Sequence, residues 1–305
     1  MMENSLRFAS VDIGSNAVRL MFMYVFETDL GPIFKKASLI RMPIRLGESS
    51  FHNKEIPQEK VDQLVNSLKG FKELMKAFNV ISYRACATSA MRDAKNGKAV
   101  IQQIKEKCGI EIDLIDGKEE AELIFENHIA EKIGGKDAFI YMDVGGGSTE
   151  FTIYSEGKKK TSRSFNIGTI RLKDNLVAES VWKDMIAWLT KAKQDYSPQK
   201  IIGSGGNINT LFKLSMLAEM EPLKKRKLKK LYKQLKNLSF DEKIAKLGLR
   251  PDRADVIVPA TELFLLAMSK SGCKEVIVPK VGVADGIIHQ LYDEYRNNET
   301  LFDEH

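Results

Sequence analysis

The sequence has little of what builds cross-linked or metal-clasped scaffolds. Among 305 residues there are 3 cysteines and 4 histidines. Cys86, Cys108 and Cys273 stand far apart, with no Cys-x-x-Cys spacing. That excludes a disulfide framework and a zinc ribbon, and it fits a reducing compartment. His52, His128, His289 and His305 show no metal-ligand spacing either. Long hydrophobic runs are also missing. The longest, near Val256 to Met268, is interrupted by Thr261 and Glu262 and is too short to cross a bilayer. Met1 to Asn4 leads into a strand-like segment without the charged and apolar pattern of a secretion signal. The expectation is a soluble, cytoplasmic protein with no membrane partner. Low-complexity tracts and solenoid periods are absent.

Acidic residues are missing from one place in particular. Between Leu223 and Lys236 there are eight basic residues and no acidic one. The whole chain carries a formal net charge of +6, so without this stretch it would be slightly negative. A nucleic-acid binder is expected to be more broadly basic, so no specific nucleic-acid partner is expected. Leu223, Leu228, Leu231, Tyr232, Leu235 and Leu238 fall on one helical face, with the lysines around the rest. Two readings stay open: a solvated amphipathic helix, or a docking strip for a polyanion.

What is present is an ordinary globular composition, 43% hydrophobic and 29% charged, with length for about two domains. Three strand-like runs open the chain: Leu6 to Ile13, Ala17 to Phe26 and Ile33 to Arg41. An amphipathic helix follows from Pro57 to Phe78, with Val61, Leu64, Val65, Leu68, Phe71, Leu74, Met75 and Phe78 at three- and four-residue spacing. Next come a strand (80–86), a helix (97–107), a strand (110–115) and a helix (118–133). From Ala138 the order restarts, with strands at 139–144, 150–155 and 160–165. Helix at 170–193, a strand at 200–202 and a helix after Gly206 continue it. Helices at 223–238 and 254–270, a strand at 275–278 and a helix at 283–296 complete the pattern. The expected fold class is α/β, two duplicated βββαβαβα lobes with a cleft between them. The lobes are placed at 1–125 and 126–305, with the final helix, about 283–297, free to pack back toward the first.

The chemistry-bearing residues sit at matching places. Asp12-Ile13-Gly14-Ser15-Asn16 closes the first strand, and Asp143-Val144-Gly145-Gly146-Gly147-Ser148-Thr149-Glu150 closes its counterpart, 131 residues later. Glycines let backbone N–H groups approach phosphate oxygens and form an anion-binding nest, and the serines add donors. An aspartate beside such a nest can hold Mg²⁺ directly or through water. A third glycine turn, Ile202-Gly203-Ser204-Gly205-Gly206-Asn207, either presents a helix N-terminus to an anion or serves close helix–strand packing. Glu119 and Glu120, after Asp116-Gly117, either complement a helix dipole or place a carboxylate that deprotonates an attacking water. Arg92, and less directly Arg45, are either phosphate clamps or surface arginines.

Taken together these segments resemble the exopolyphosphatase / guanosine pentaphosphate phosphohydrolase (Ppx/GppA) family. The match runs through Val11 to Asn16, Arg45-Leu46-Gly47-Glu48, Ala87-Thr88 to Arg92, Gly117 to Ala121, Asp143 to Glu150 and Gly203 to Gly206. Arg253-Ala254-Asp255 and Val281 to Gly286 extend it. The resemblance implies actin-like (ribonuclease H-like) lobes and hydrolysis of a terminal phosphoanhydride. It implies Glu120 as catalytic base or water orienter, with Asp143 and Glu150 supporting Mg²⁺ and the water and Asp12 beside them. It places phosphate on Ser15, Asn16, Arg92, Gly145, Gly146, Ser148, Gly205 and Gly206. The implied substrate is inorganic polyphosphate. The alternatives are guanosine pentaphosphate or a degenerate sensor that binds either compound, with a homodimer left open. This sequence departs from the family pattern at Glu122, where an arginine is usual, at Asn207 in place of a threonine, and at Ala284-Asp285-Gly286 in place of Arg-Glu-Gly. Longer members of the family continue into a further all-helical region.

Overall fold

The computed structural model describes residues 5–125 and 137–303. The chain divides into two compact units, 1–127 with 283–305, and 128–282. The terminal helix thus belongs with the first unit, although the sequence places it after the second.

In the first unit β1 (Ser5–Ile13) is central. It pairs antiparallel with β2 (Val18–Phe26), which pairs antiparallel with β3 (Ile33–Met42). The sheet order is β3-β2-β1-β4-β5, with β4 (Ser82–Ala87) and β5 (Asp113–Leu114) parallel to β1. Residues of β1 and β2 are buried through much of their length, as apolar runs covered on both faces should be, whereas β3 is an exposed edge. Helix α1 (Leu46–Asn53) lies between β3 and the amphipathic α2 (Gln58–Ala77). The α2 stripe buries Val61, Leu64, Val65, Leu68, Phe71 and Met75, each contributing about 1.5–3 kcal/mol. Leu74, counted with that stripe from its spacing, lies at its margin and is 42% exposed. Then come α3 (Ser89–Asp93), α4 (Gly97–Cys108) and α5 (Gly117–Phe125). The remainder of the helix expected to 133 lies outside the described residues, as does His128.

The second unit repeats the plan. Strands β6 (Phe139–Val144), β7 (Thr149–Ser155) and β8 (Lys158–Phe165) form an antiparallel meander. After α6 (Thr169–Lys173) and α7 (Glu179–Tyr196), β9 (Lys200–Ser204) joins β6 in parallel. The helical stretch expected at 170–193 is therefore two helices, separated between Lys173 and Glu179. Helix α8 (Gly206–Ser215), the short β10 (Leu223–Lys224) and α9 (Lys225–Asn237) follow. Then come α10 (Phe240–Leu247), α11 (Pro251–Ala254), α12 (Ile257–Ser271) and β11 (Glu275–Ile277). The sheet order β10-β11-β9-β6-β7-β8 matches the first sheet, with β10 added at one edge. Its core joins Ile140, Met142 and Phe151 to Leu211, Phe264 and Met268, all fully buried. Helix α13 (Val283–Asp303) packs on the first sheet: Ser10 Oγ donates to the Ala284 carbonyl at 2.8 Å. Among the described residues no helix is long and apolar enough to cross a membrane. All three cysteines are free and buried.

Candidate active site

In each unit, the parallel strands deliver their C-terminal ends to one edge, where open α/β sheets bind ligands. In the first unit this edge is stitched by backbone bonds from Thr88 N–H to the Ile13 carbonyl (3.2 Å) and from Ile115 N–H to the Ala87 carbonyl (3.1 Å). The candidates gather there. Gly14 N–H donates to the Ala17 carbonyl at 3.1 Å, closing the turn that carries Ser15 and Asn16, both buried. The Ser15 and Ser89 hydroxyls share a hydrogen bond of 2.9 Å, and the Ser15 carbonyl accepts from Gly47 N–H. Arg45, just before Gly47, pairs with Glu48 at 2.9 Å. Arg92, one turn beyond Ser89, donates to the Ile115 carbonyl at 2.8 Å.

Next to Ile115, Asp116 caps α5. Its carboxylate accepts from the N–H groups of Lys118 (2.8 Å) and Glu119 (2.9 Å). The bond from Glu119 N–H is the main reason the Asp116 carboxyl sits below its ordinary value, aided by that from Lys118 N–H and by the Arg92 guanidinium. The cap separates the two glutamates behind it. Glu119 turns outward to Arg84, which also holds Asp113 and Gln290. Glu120 is 8% exposed. A glycine in α13 sets this helix at close range. A Cβ on Gly286 would lie 1.6 Å from the carbonyl oxygen of Leu123, one turn beyond Glu120.

The turn in the second unit has the same backbone geometry. Gly145 N–H donates to the Ser148 carbonyl at 3.0 Å. Behind it the chain 168–171 consumes the carbonyls of the loop: Thr169 N–H binds Gly145, Ile170 N–H binds Gly146, and Arg171 Nε binds Gly147 at 2.8 Å. Gly168 makes that approach possible, since a Cβ there would fall 2.3 Å from Gly146 and Gly147 backbone atoms. The loop's carbonyls are thus taken up by that segment. Among the described residues no backbone carbonyl accepts from Gly146, Gly147 or Ser148. Unclaimed N–H groups of this kind are what an anion-binding nest requires.

Asp143 and Glu150 face each other across the β6–β7 register, 7% and 2% exposed. Carboxylate oxygens of the two lie within 4.8 Å. Ser164 Oγ donates to Glu150 at 2.8 Å. Gly205 completes the wall. Its φ is +99°, and a Cβ would stand 2.9 Å from Asp143 Oδ1 and 2.8 Å from the Val144 carbonyl. So the third glycine turn is required by close approach to the Asp143 carboxylate, whatever it does for an anion. Gly206 gives room to Arg253, whose guanidinium would be 2.1 Å from a Cβ there and which donates to Asn207 Oδ1 at 3.1 Å.

Within the second unit, then, Asp143, Glu150, Gly145, Gly146, Ser148, Gly205 and Gly206 converge on one sheet edge. Asp12, Ser15, Asn16, Arg92 and Glu120 share the equivalent edge of the first. Asp12, expected beside the metal, meets Arg19 Nη1 at 2.5 Å across the β1–β2 register. Three arginines at these edges, Arg19, Arg171 and Arg253, lie outside the expected site residues. For Arg19 a signal existed: the 131-residue offset aligns it with Glu150.

A family model described as the Ppx/GppA phosphatase family matches residues 31–295. The chain belongs to the Ppx/GppA family. A solved exopolyphosphatase from Cytophaga hutchinsonii is 25% identical, with a TM-score of 0.82 over 94% of this chain and 98% of that one. The Aquifex aeolicus Ppx/GppA family member is 23% identical, with a TM-score of 0.75 over 99% of each, a likeness of fold. Among curated relatives, a bifunctional 3-dehydroquinate synthase/phosphatase of Fusobacterium nucleatum is 29% identical over 85% of this chain. A guanosine-5'-triphosphate,3'-diphosphate pyrophosphatase of Aliivibrio fischeri is 22% identical over 96%. This Ppx/GppA chain spans 42% and 60% of the lengths of those two relatives.

Proposed function

We propose that this protein is an exopolyphosphatase, hydrolysing the terminal phosphoanhydride of inorganic polyphosphate in the cytoplasm. The observation that carries the reading is the second turn, where two buried carboxylates stand opposite each other beside a loop whose Gly146, Gly147 and Ser148 N–H groups are given to no backbone carbonyl among the described residues. Like charges directly across a ladder repel, and burial increases the cost, so the pair calls for a cation. Hard oxygen donors of this kind suit Mg²⁺, which is commonly held by one or two carboxylates together with substrate phosphates. When bound, the ion supplies charge neutralisation for the transferred phosphoryl group. In this reading Asp143 and Glu150 hold it, while Asp12 keeps the neighbouring strand through Arg19.

The remaining residues bind and move protons. The N–H groups of Gly146, Gly147 and Ser148, with the Ser148 hydroxyl, take the phosphoryl oxygens. The α8 N-terminus at Gly205 and Gly206 adds its positive dipole. Ser15, Asn16 and Arg92 hold the following phosphate, Arg92 bidentately. Glu120 accepts the proton of the attacking water, a role worth roughly 10²–10⁴-fold. Phosphoryl transfer of this type rests on positioning and charge stabilisation, which this donor set provides. The likeness to the Cytophaga exopolyphosphatase over nearly the whole of both chains supports polyphosphate as substrate.

A second reading, removal of the 5′ γ-phosphate of guanosine pentaphosphate, is favoured by the curated pyrophosphatase relatives. Phosphate release with Mg²⁺ on graded polyphosphates and on guanosine pentaphosphate separates the two. Faster turnover of polyphosphate, abolished in Glu120→Gln, is expected. Equal or better turnover of the nucleotide overturns the first reading, and no release from either substrate overturns both.

A further inference from the structure

Helix α9 has two faces. Leu228, Leu231 and Leu235 are buried against the second core, where the helix packs on α8 and α12. Opposite them Arg226, Lys229, Lys230, Lys233 and Lys236 are exposed. At 100° per residue these five fall within an arc of about 120°. The stripe runs parallel to the helix axis for about 15 Å at 1.5 Å per residue. Among the described residues no carboxylate pairs with Arg226, Lys229, Lys230 or Lys233. A surface helix with no special task commonly alternates the sign of its charges and laces them into i,i+4 pairs. The neighbouring α10 does so with Lys246 and Glu242, and α7 with Lys191 and Asp195. Helix α9 does not.

We propose that this stripe is a docking surface for a linear polyanion, the distal part of a polyphosphate chain; the choice of polyphosphate rests on the proposed function above. A row of point charges tracks a charged polymer through counterion release and needs no pocket. A compact phosphate ester would engage only one or two of the lysines. Single-stranded nucleic acid is the other candidate, and it is held in part by bases stacking on aromatic rings. The stripe offers none: the one aromatic residue of the helix, Tyr232, is half-buried and its hydroxyl donates to Glu262 at 2.6 Å. The stripe and the candidate site share a unit, because α9 packs on α8, whose first residues form the Gly205–Gly206 turn against Asp143.

The test is the triple variant Lys229→Gln, Lys230→Gln, Lys233→Gln, which keeps good helix formers on an exposed face. Binding of labelled long-chain polyphosphate is expected to weaken about tenfold at low salt. The slope of log affinity against log salt should fall by about 0.7 per lysine removed. Tripolyphosphate, read as turnover and as competition for the labelled chain, should change less than about twofold, with the melting temperature unmoved. Unchanged long-chain affinity, an equal loss for tripolyphosphate, or tighter wild-type binding of an oligothymidylate than of polyphosphate each overturns the proposal. If the wild type releases no phosphate yet the variant loses long-chain binding, the docking surface stands and the hydrolase reading falls.

Discussion

The two glycine turns share a backbone and differ in charge. Gly14 to Ala17 and Gly145 to Ser148 close with the same N–H to carbonyl bond, at 3.1 and 3.0 Å. A Cβ on either first glycine would stand 3.2 Å from the accepting oxygen. Each turn follows a strand that carries an aspartate two residues before the glycine. Across the hairpin, however, Asp12 faces Arg19, and Asp143 faces Glu150. The first arrangement balances charge within the sheet and consolidates the fold. The second sets two carboxylates opposite each other, the pair that the proposed reading gives to a cation. The same turn occurs twice, and one register position decides whether its aspartate meets an arginine or a glutamate.

The largest expected effect comes from removing the charge concentration. Glu150→Gln or Asp143→Asn should lower phosphate release by roughly 10²-fold or more while leaving the unfolding free energy equal or higher. Arg19→Met should do the reverse. It leaves Asp12 buried without its partner and is expected to cost about 2 kcal/mol in urea unfolding. A loss of activity in Arg19→Met as large as that in Glu150→Gln would erase the distinction between the turns.

A finer comparison sets Gly205 against Gly31. Both have positive φ, +99° and +105°, but nothing lies within 4 Å of a Cβ at Gly31. Gly31→Ala should cost about 1 kcal/mol, the backbone term alone, with turnover intact. Gly205→Ala adds a clash with Asp143 and should cost about 2–3 kcal/mol and most of the activity. Equal losses in the two would mean the Asp143 wall is unimportant.

The smallest expected effect concerns the α5 cap. Asp116→Ala should cost about 1 kcal/mol near neutral pH. Hydrogen bonds to the charged form hold this carboxyl below its ordinary 3.8, so its contribution is present above that value and lost as pH falls through the lowered one. Wild type and variant should therefore converge in acid, as read by thermal unfolding across pH. A gap that persists in acid would remove the charged cap from the account.

Much of this was legible in the sequence because it rests on period and turn chemistry. The three-strand openings, the α2 stripe and both glycine turns follow from alternation and from Gly-Ser punctuation. The elements that escaped lack such signals or hide them. Helix α1 starts after Arg45 in a left-handed conformation (φ 59°), which no residue type there announces. Helix α10 was readable, since Ser239 and Glu242 form a capping box, but its eight residues bury no side chain and carry no strong stripe. At the site, residue types were visible and partners were not. Residue type and spacing do not separate Glu119 from Glu120, which only the family resemblance singles out; the fold gives one to Arg84 and buries the other. Arg253 is far from Gly206 in sequence, and its approach depends on a missing Cβ.

Gly286 has a consequence for how the molecule is made. The helix it belongs to covers Ser10, pairs Asp285 with Lys36 and presses on the carbonyl of Leu123, all in the first unit. The first unit is therefore written in two pieces with the whole of the second between them. As the chain emerges from the ribosome, residues 128–282 can finish folding before the unit that precedes them. Until Val283 and its successors arrive, the helix bearing Glu120 lacks the surface it rests on, so the first unit can be completed only after the second has been synthesised.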